Sequence, residues 1–166
     1  FHTWGFAGLQ VGMGLRATLV LRRRFDPEAV LADLVTHRAN GVFVVPIMMQ
    51  RLLELPADVR ARYELTALRA VASSGSALIG DFAVHFMDAF GDVLYNLYGS
   101  TEVSWATIAT PTDLRREPRT AGQPPLGTRL AILDDAGNEL PTGTPGRIFV
   151  ANGMLFEGYT NGAGKE

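Results

Sequence analysis

The residues best equipped for chemistry are Asn96-Leu97-Tyr98-Gly99-Ser100-Thr101-Glu102. They follow the apolar run Val93-Leu94-Tyr95, which reads as a buried strand, so the segment is expected just past a strand's end. In an open α/β sheet that is where ligands bind. An aromatic ring, a glycine, two hydroxyls and a carboxylate together suit a nucleotide. The ring offers a face to a base, the glycine lets the backbone approach, and the hydroxyls suit phosphate oxygens. The Glu102 carboxylate is an oxygen ligand for Mg²⁺, an ion that takes one or two carboxylates together with substrate phosphates. The plainer reading is an ordinary turn carrying a surface Glu.

A second loop, Ser73-Ser74-Gly75-Ser76-Ala77-Leu78, follows the short run Ala70-Val71-Ala72-Ser73, which also reads as a strand. Small residues there would let a planar ligand lie against the backbone. Other motifs fail. Gly12-Met13-Gly14-Leu15-Arg16-Ala17 fits G-x-G-x-x-A but precedes a strand signal, where a dinucleotide fingerprint must follow one. No Walker loop is present, neither glycine–serine loop is a nucleophile elbow, and His2, His37 and His85 are too scattered for zinc.

The elements that must position these loops are legible in outline. Phe6 to Leu15 is apolar and glycine-rich, a buried helix. Thr18-Leu19-Val20-Leu21 reads as a strand ending in three solvated arginines. Asp26-Pro27-Glu28 opens a helix with an N-cap, a proline and a first-turn acid; Val30, Leu31, Leu34 and Val35 share its apolar face. Val42 to Val45 reads as a strand ended by Pro46, and Ile47 to Leu55 as a helix. Asp81 caps a helix whose Phe82, Phe86 and Phe90 face the core, and Gly91 ends it in a left-handed cap. Strands joined by such helices imply a mostly parallel sheet. After Thr112 no helix is expected: Arg129 to Leu133, the turn Asp134 to Asn138 and the strand Arg147 to Val150 read as antiparallel β structure. The fold class is α/β, residues 1–112 a mostly parallel sheet with flanking helices, residues 113–166 part of an antiparallel, barrel-like subdomain.

Bulk properties narrow the function. With 15 basic and 17 acidic residues the net charge is -2, so nothing points to nucleic acid or an anionic membrane surface. No apolar run reaches the length of about 18 residues of a membrane span. The absence of Cys fits a reducing cytoplasm, the expected location. The chain starts at Phe1 and trails off from Gly158 to Glu166, so it reads as an internal piece of something longer.

Set out together, these residues resemble the adenylate-forming superfamily of acyl-CoA synthetases, luciferase-like enzymes and adenylation domains. Phe1-His2-Thr3-Trp4-Gly5-Phe6 is similar to its F-H-x-x-G-F segment. Ser74 to Leu78 resembles its G-G-A-x-L loop, with Ser76 replacing a glycine, and Tyr98 to Glu102 its Y-G-x-T-E core. Gly122-Gln123-Pro124 resembles the step that opens its β subdomain. Gly146 to Val150, Gly153 and Gly158-Tyr159 resemble its G-E-[LI] block, with Arg147 where Glu is usual.

The resemblance implies that a carboxylic acid and ATP give an acyl-adenylate and pyrophosphate, after which a thiol, usually CoA, displaces AMP. It assigns nucleotide binding to Gly75, Ser76, Ala77, Asn96, Leu97, Tyr98, Gly99, Ser100 and Thr101, with Tyr98 on adenine and Thr101 on phosphate. It assigns Mg²⁺ to Glu102, catalytic roles to His2, Thr101 and Glu102, and an acyl pocket to His2, Trp4 and Phe6. The family's phosphate loop is expected before Phe1, and its ribose-binding Asp and catalytic Lys after Glu166, so the chain alone is expected to be inactive. A fatty-acyl-CoA synthetase is the leading expectation. A fatty-acyl-AMP ligase, an aryl-CoA ligase or an amino-acid adenylation domain are the alternatives within the family, and a non-catalytic nucleotide-binding remnant the alternative outside it.

Overall fold

The computed structural model describes residues 3–160 and forms two compact units. The first takes the residues up to Asn96 together with Ala109–Thr120; the second takes Leu97–Ile108 and the residues from Ala121 on.

In the first unit, helix α1 (Thr3–Gly14) is followed by α2 (Pro27–Thr36), β1 (Gly41–Val44), α3 (Pro46–Leu53), α4 (Ala57–Arg60), β2 (Ala70–Ser73), α5 (Phe82–Phe90) and the start of β3 (Leu94–Ser100). β1 pairs with β2, and β2 with β3, both in parallel. The sequence signals act as expected at several ends. Asp26 caps α2 by accepting a hydrogen bond from the Ala29 N–H at 2.8 Å, and Pro46 both stops β1 and starts α3. Leu31, Leu34, Val44, Met49, Val71, Phe86, Met87 and Leu94 form one core.

Some expectations are corrected. Residues 18–21 are not a strand: Leu19, Val20 and Leu21 are exposed, and no described strand pairs with them. What Leu19 does is lie over α1, where a Cβ on Gly12 would come within 2.2 Å of its Cδ2; the close approach accounts for a glycine that the failed fingerprint left unexplained. α1 forms, yet only Gly12 in it is buried. The Asp81 side chain makes no capping bond to α5, and Gly91 ends that helix at φ 89°, ψ 170°, outside the left-handed helical region. A helix also stands where none was expected: α6 (Pro111–Arg116). Its start is a capping box, with Thr110 Oγ1 accepting from the Asp113 N–H at 3.3 Å and Asp113 Oδ2 from the Thr110 N–H at 2.9 Å. Its Arg115 donates to Asp88 and Asp92 at 2.5 and 2.7 Å, and its Leu114 is fully buried.

In the second unit β3 runs on to Ser100, the turn Thr101–Val103 follows, and β4 (Ser104–Ala109) lies next to β3. β5 (Arg129–Leu133) and β6 (Arg147–Ala151) pair antiparallel, Arg129 opposite Ala151 and Leu133 opposite Arg147. The Asp134 to Asn138 turn joins the expected places: Asp134 Oδ1 accepts from the Asn138 N–H at 2.8 Å. The β-rich reading of this part of the chain therefore holds. Among the described residues no helix is long and apolar enough to cross a membrane.

Candidate functional site

β3 carries the key segment farther than its apolar start suggests. Asn96 to Ser100 lie within the strand, and only Thr101 and Glu102 belong to the turn beyond it. Leu97 is buried while Tyr98, Gly99 and Ser100 are exposed, and Tyr98 presents 45% of its surface. Gly99 is required by the protein itself: a Cβ there would stand 1.9 Å from the Ser104 carbonyl oxygen. Ser104 has φ 58°, in the left-handed region, where the chain comes back after the turn.

The Glu102 side chain is held on several sides. Tyr159 donates its hydroxyl to Glu102 Oε1 at 2.5 Å. That bond, then one from the Ser100 hydroxyl and one from the backbone N–H of Glu102, keep the carboxyl below its ordinary range, so it is an anion at neutral pH. The same bond raises the Tyr159 hydroxyl above its ordinary value. The chain around Tyr159 braces the turn as well. Phe156 N–H donates to the Glu102 carbonyl at 2.9 Å, Asn152 Nδ2 donates to the Val103 carbonyl at 2.9 Å, and the Phe156 and Tyr159 rings meet edge to face, centroids 4.9 Å apart. The β4 end is tied in by Thr107 Oγ1, which donates to the Ala121 carbonyl at 2.6 Å.

One ionised carboxylate suits an Mg²⁺ ion that arrives on phosphate oxygens and keeps some of its waters. Among the described residues no three His, Cys, Asp or Glu side chains gather as a ready-made metal cage. The donor set thus fits a metal brought by a nucleotide.

The other candidates lie in the first unit. The loop after β2 turns at Gly75, φ 95°, and exposes Gly75, Ser76 and Ala77, while Leu78 anchors it in the core. Ser73, at the end of β2, is fully buried and its hydroxyl has no hydrogen-bond partner; its register partner on β3 is Asn96, 8% exposed. Trp4 donates from Nε1 to the Val44 carbonyl at 2.9 Å and packs against Phe43 with the rings tilted by 52°, while Phe6 is 57% exposed. His2 lies outside the described residues. Sequence reasoning did not find the pairing of Tyr159 with Glu102. Gly158-Tyr159 stood out as a motif, but nothing in a linear reading puts it against a turn 57 residues earlier.

Comparison with known proteins gives this geometry a context. The chain is 28% identical to an uncharacterised acyl-CoA ligase, YhfT, of Bacillus subtilis, over 90% of this chain and 30% of that protein. Its fold matches the amide bond synthetase McbA of Marinactinospora thermotolerans with a TM-score of 0.80 at 34% identity, over 86% of this chain and 29% of that one. It matches ATP-bound MatB of Rhodopseudomonas palustris with a TM-score of 0.79 at 27% identity, over 95% and 31%. The chain thus spans about a third of the length of these proteins. Residues 1–160 match the description of the AMP-binding enzymes, and the chain belongs to that adenylate-forming family.

Proposed function

We propose that this chain is part of an enzyme that activates a carboxylic acid with ATP and passes the acyl group to CoA. In the first step a carboxylate oxygen attacks the α-phosphorus of ATP and pyrophosphate leaves. In the second a thiolate attacks the acyl carbonyl and AMP leaves. A fatty acid is the substrate we favour, and the cytoplasm, where ATP and CoA are at hand, the location. The observation that carries the reading is the anionic Glu102, fixed at the end of β3 beside the exposed Tyr98 and Thr101. Transfers of this kind depend mainly on positioning and on neutralising phosphate charge.

Each role follows the matched motifs. Tyr98 stacks on adenine, Thr101 bonds phosphate, and Glu102 takes the Mg²⁺ that draws charge from the phosphates. Gly75, Ser76 and Ala77 line the adenine and the acyl group, and His2, Trp4 and Phe6 belong to the acyl side. The reach of the match to about a third of the relatives' length favours an activity that needs more protein than this chain supplies. A second reading changes only the acceptor. McbA, by name an amide bond synthetase, is 34% identical, which favours an amine in place of the thiol.

The experiment is carboxylate-dependent ATP–pyrophosphate exchange, run on the isolated chain and on the full-length protein. Exchange by the full-length protein alone is expected, and Glu102→Ala should lower it by roughly 10²–10³, the usual cost of one strong electrostatic contact. Exchange within a fewfold of wild type in that variant refutes the metal assignment, and no exchange by either protein favours a non-catalytic remnant. Adding CoA or an amine to the preformed adenylate then separates the two acceptors.

A further inference from the structure

Glu102 is half-buried in the turn Thr101–Val103, and a carboxylate that still reaches solvent ordinarily samples several rotamers. This one is gripped by a strap formed of residues 152–159. The strap is fastened to the turn backbone twice, by Asn152 at the Val103 carbonyl and by the Phe156 N–H at the Glu102 carbonyl. Asn152 Oδ1 in turn accepts from the Met154 N–H at 2.8 Å, which closes the strap on itself. The Tyr159 hydroxyl then reaches the carboxylate, its ring held edge-on by Phe156. All these partners lie in one unit.

We propose that Tyr159 is a positioning residue for the metal: its hydroxyl holds the Glu102 carboxylate in the orientation from which it receives the divalent cation of the nucleotide. The inference rests on the reading of Glu102 as the Mg²⁺ ligand. The physical argument is that of partners behind a metal ligand generally. A hydrogen bond to a ligating carboxylate fixes its rotamer before the metal arrives, and loss of such a partner typically costs roughly 10–100-fold in metal affinity or activity. The Tyr159 hydroxyl donates to this carboxylate at 2.5 Å and carries no charge that would cancel it, so the anion remains available to a cation. The backbone fastenings explain how an exposed tyrosine keeps its place: it is carried on a segment already bonded to the turn it serves.

The test measures ATP binding by calorimetry to the full-length protein, without carboxylic acid, once with Mg²⁺ and once with EDTA. The gain in affinity due to Mg²⁺ reports the metal contact separately from turnover. Tyr159→Phe removes the hydroxyl and keeps the ring against Phe156. It should cut the Mg²⁺-dependent gain about tenfold, leave ATP affinity in EDTA unchanged, and leave the metal-free melting temperature within a degree or so of wild type. Glu102→Gln should abolish the gain. A gain that is unchanged or larger in Tyr159→Phe, with the Glu102→Gln effect intact, overturns the positioning role alone. Equal losses with Mg²⁺ and with EDTA in Tyr159→Phe do the same, because they mark a general structural effect. A gain that survives Glu102→Gln removes the metal reading itself, and this inference with it.

Discussion

From residue 121 to residue 160 no side chain is buried, whereas the first unit carries a core in which Leu31, Met49, Phe86, Met87, Leu94 and Leu114 are at most 1% exposed. The two units are held by different forces. The first rests on apolar burial, worth about 25 cal/mol for each Å² removed from water. The second rests on the β5–β6 ladder and on hydrogen bonds from Asn152, Phe156 and Tyr159, each worth a net 0.5–1.5 kcal/mol or so. The proposed chemistry divides accordingly. The first unit supplies a stiff frame for the Gly75 loop, and the second supplies a carboxylate whose position depends on a few directional bonds.

The strongest way to break this contrast is to delete one aromatic ring from each unit. Phe86→Ala should destabilise the first unit by about 3–5 kcal/mol, the usual cost of emptying a fully packed aromatic site. Phe149→Ala, in β6 and 43% exposed, should cost under about 1 kcal/mol. Urea midpoints for the two variants settle it, and similar costs would erase the distinction.

Gly99→Ala tests whether the second unit has a rigid point in spite of its thin core. The added methyl meets the Ser104 carbonyl, and the turn must open, at a cost we put at about 1–3 kcal/mol. Faster amide exchange confined to residues 99–105 is the expected sign; wild-type exchange there would show that the hairpin yields freely.

Thr110→Ala, at the cap of α6, should cost about 1 kcal/mol and also change the acid limb of stability. The Thr110 hydroxyl, followed by its backbone N–H, holds the Asp113 carboxyl below its ordinary value. A carboxyl depressed in the folded state contributes stability that is full above its unfolded value, about pH 3.9, and is lost as the pH falls through the lower folded value. The variant should therefore lose less stability than wild type between pH 4 and pH 2 or so, as acid titration of the melting temperature would show.

The smallest effect is expected at Ser73. Its buried hydroxyl lacks a partner, so Ser73→Ala should leave stability within about 0.5 kcal/mol or raise it, because it removes an uncompensated polar group. A loss above about 1 kcal/mol would show that the hydroxyl is hydrogen-bonded in solution.

How much of this was legible in the sequence depended on how local each cause is. The cap at Asp26, the stop at Pro46 and the strand Ala70–Ser73 are decided by neighbouring residues, and each stands where expected. α6 was equally local, since Thr110 and Asp113 are three residues apart, but its short length hid it among turn signals. Thr18 to Leu21 had the composition of a strand, yet a strand exists only if another edge pairs with it, and composition does not record partners. The motif around Tyr98 was legible as residues, but the strand that carries it was ended too early, because β3 extends through Ser100. The brace on Glu102 was not legible at all: three further strands, β4, β5 and β6, intervene before the chain returns to the turn.

That separation in sequence has a consequence for the order of events at the ribosome. Tyr159 is made 57 residues after Glu102, which at about 5–20 residues per second takes roughly 3–11 s. For the later part of that interval, once Thr120 has been added, the frame of the first unit can collapse around Phe86 and Leu114, because the residues of that unit precede those still to be made. The carboxylate meanwhile has only its own turn and Ser100 to steady it. A nascent chain therefore has its scaffold before it has a settled anion, and the ability to hold a metal-bearing nucleotide would be among the last properties this stretch of polypeptide acquires.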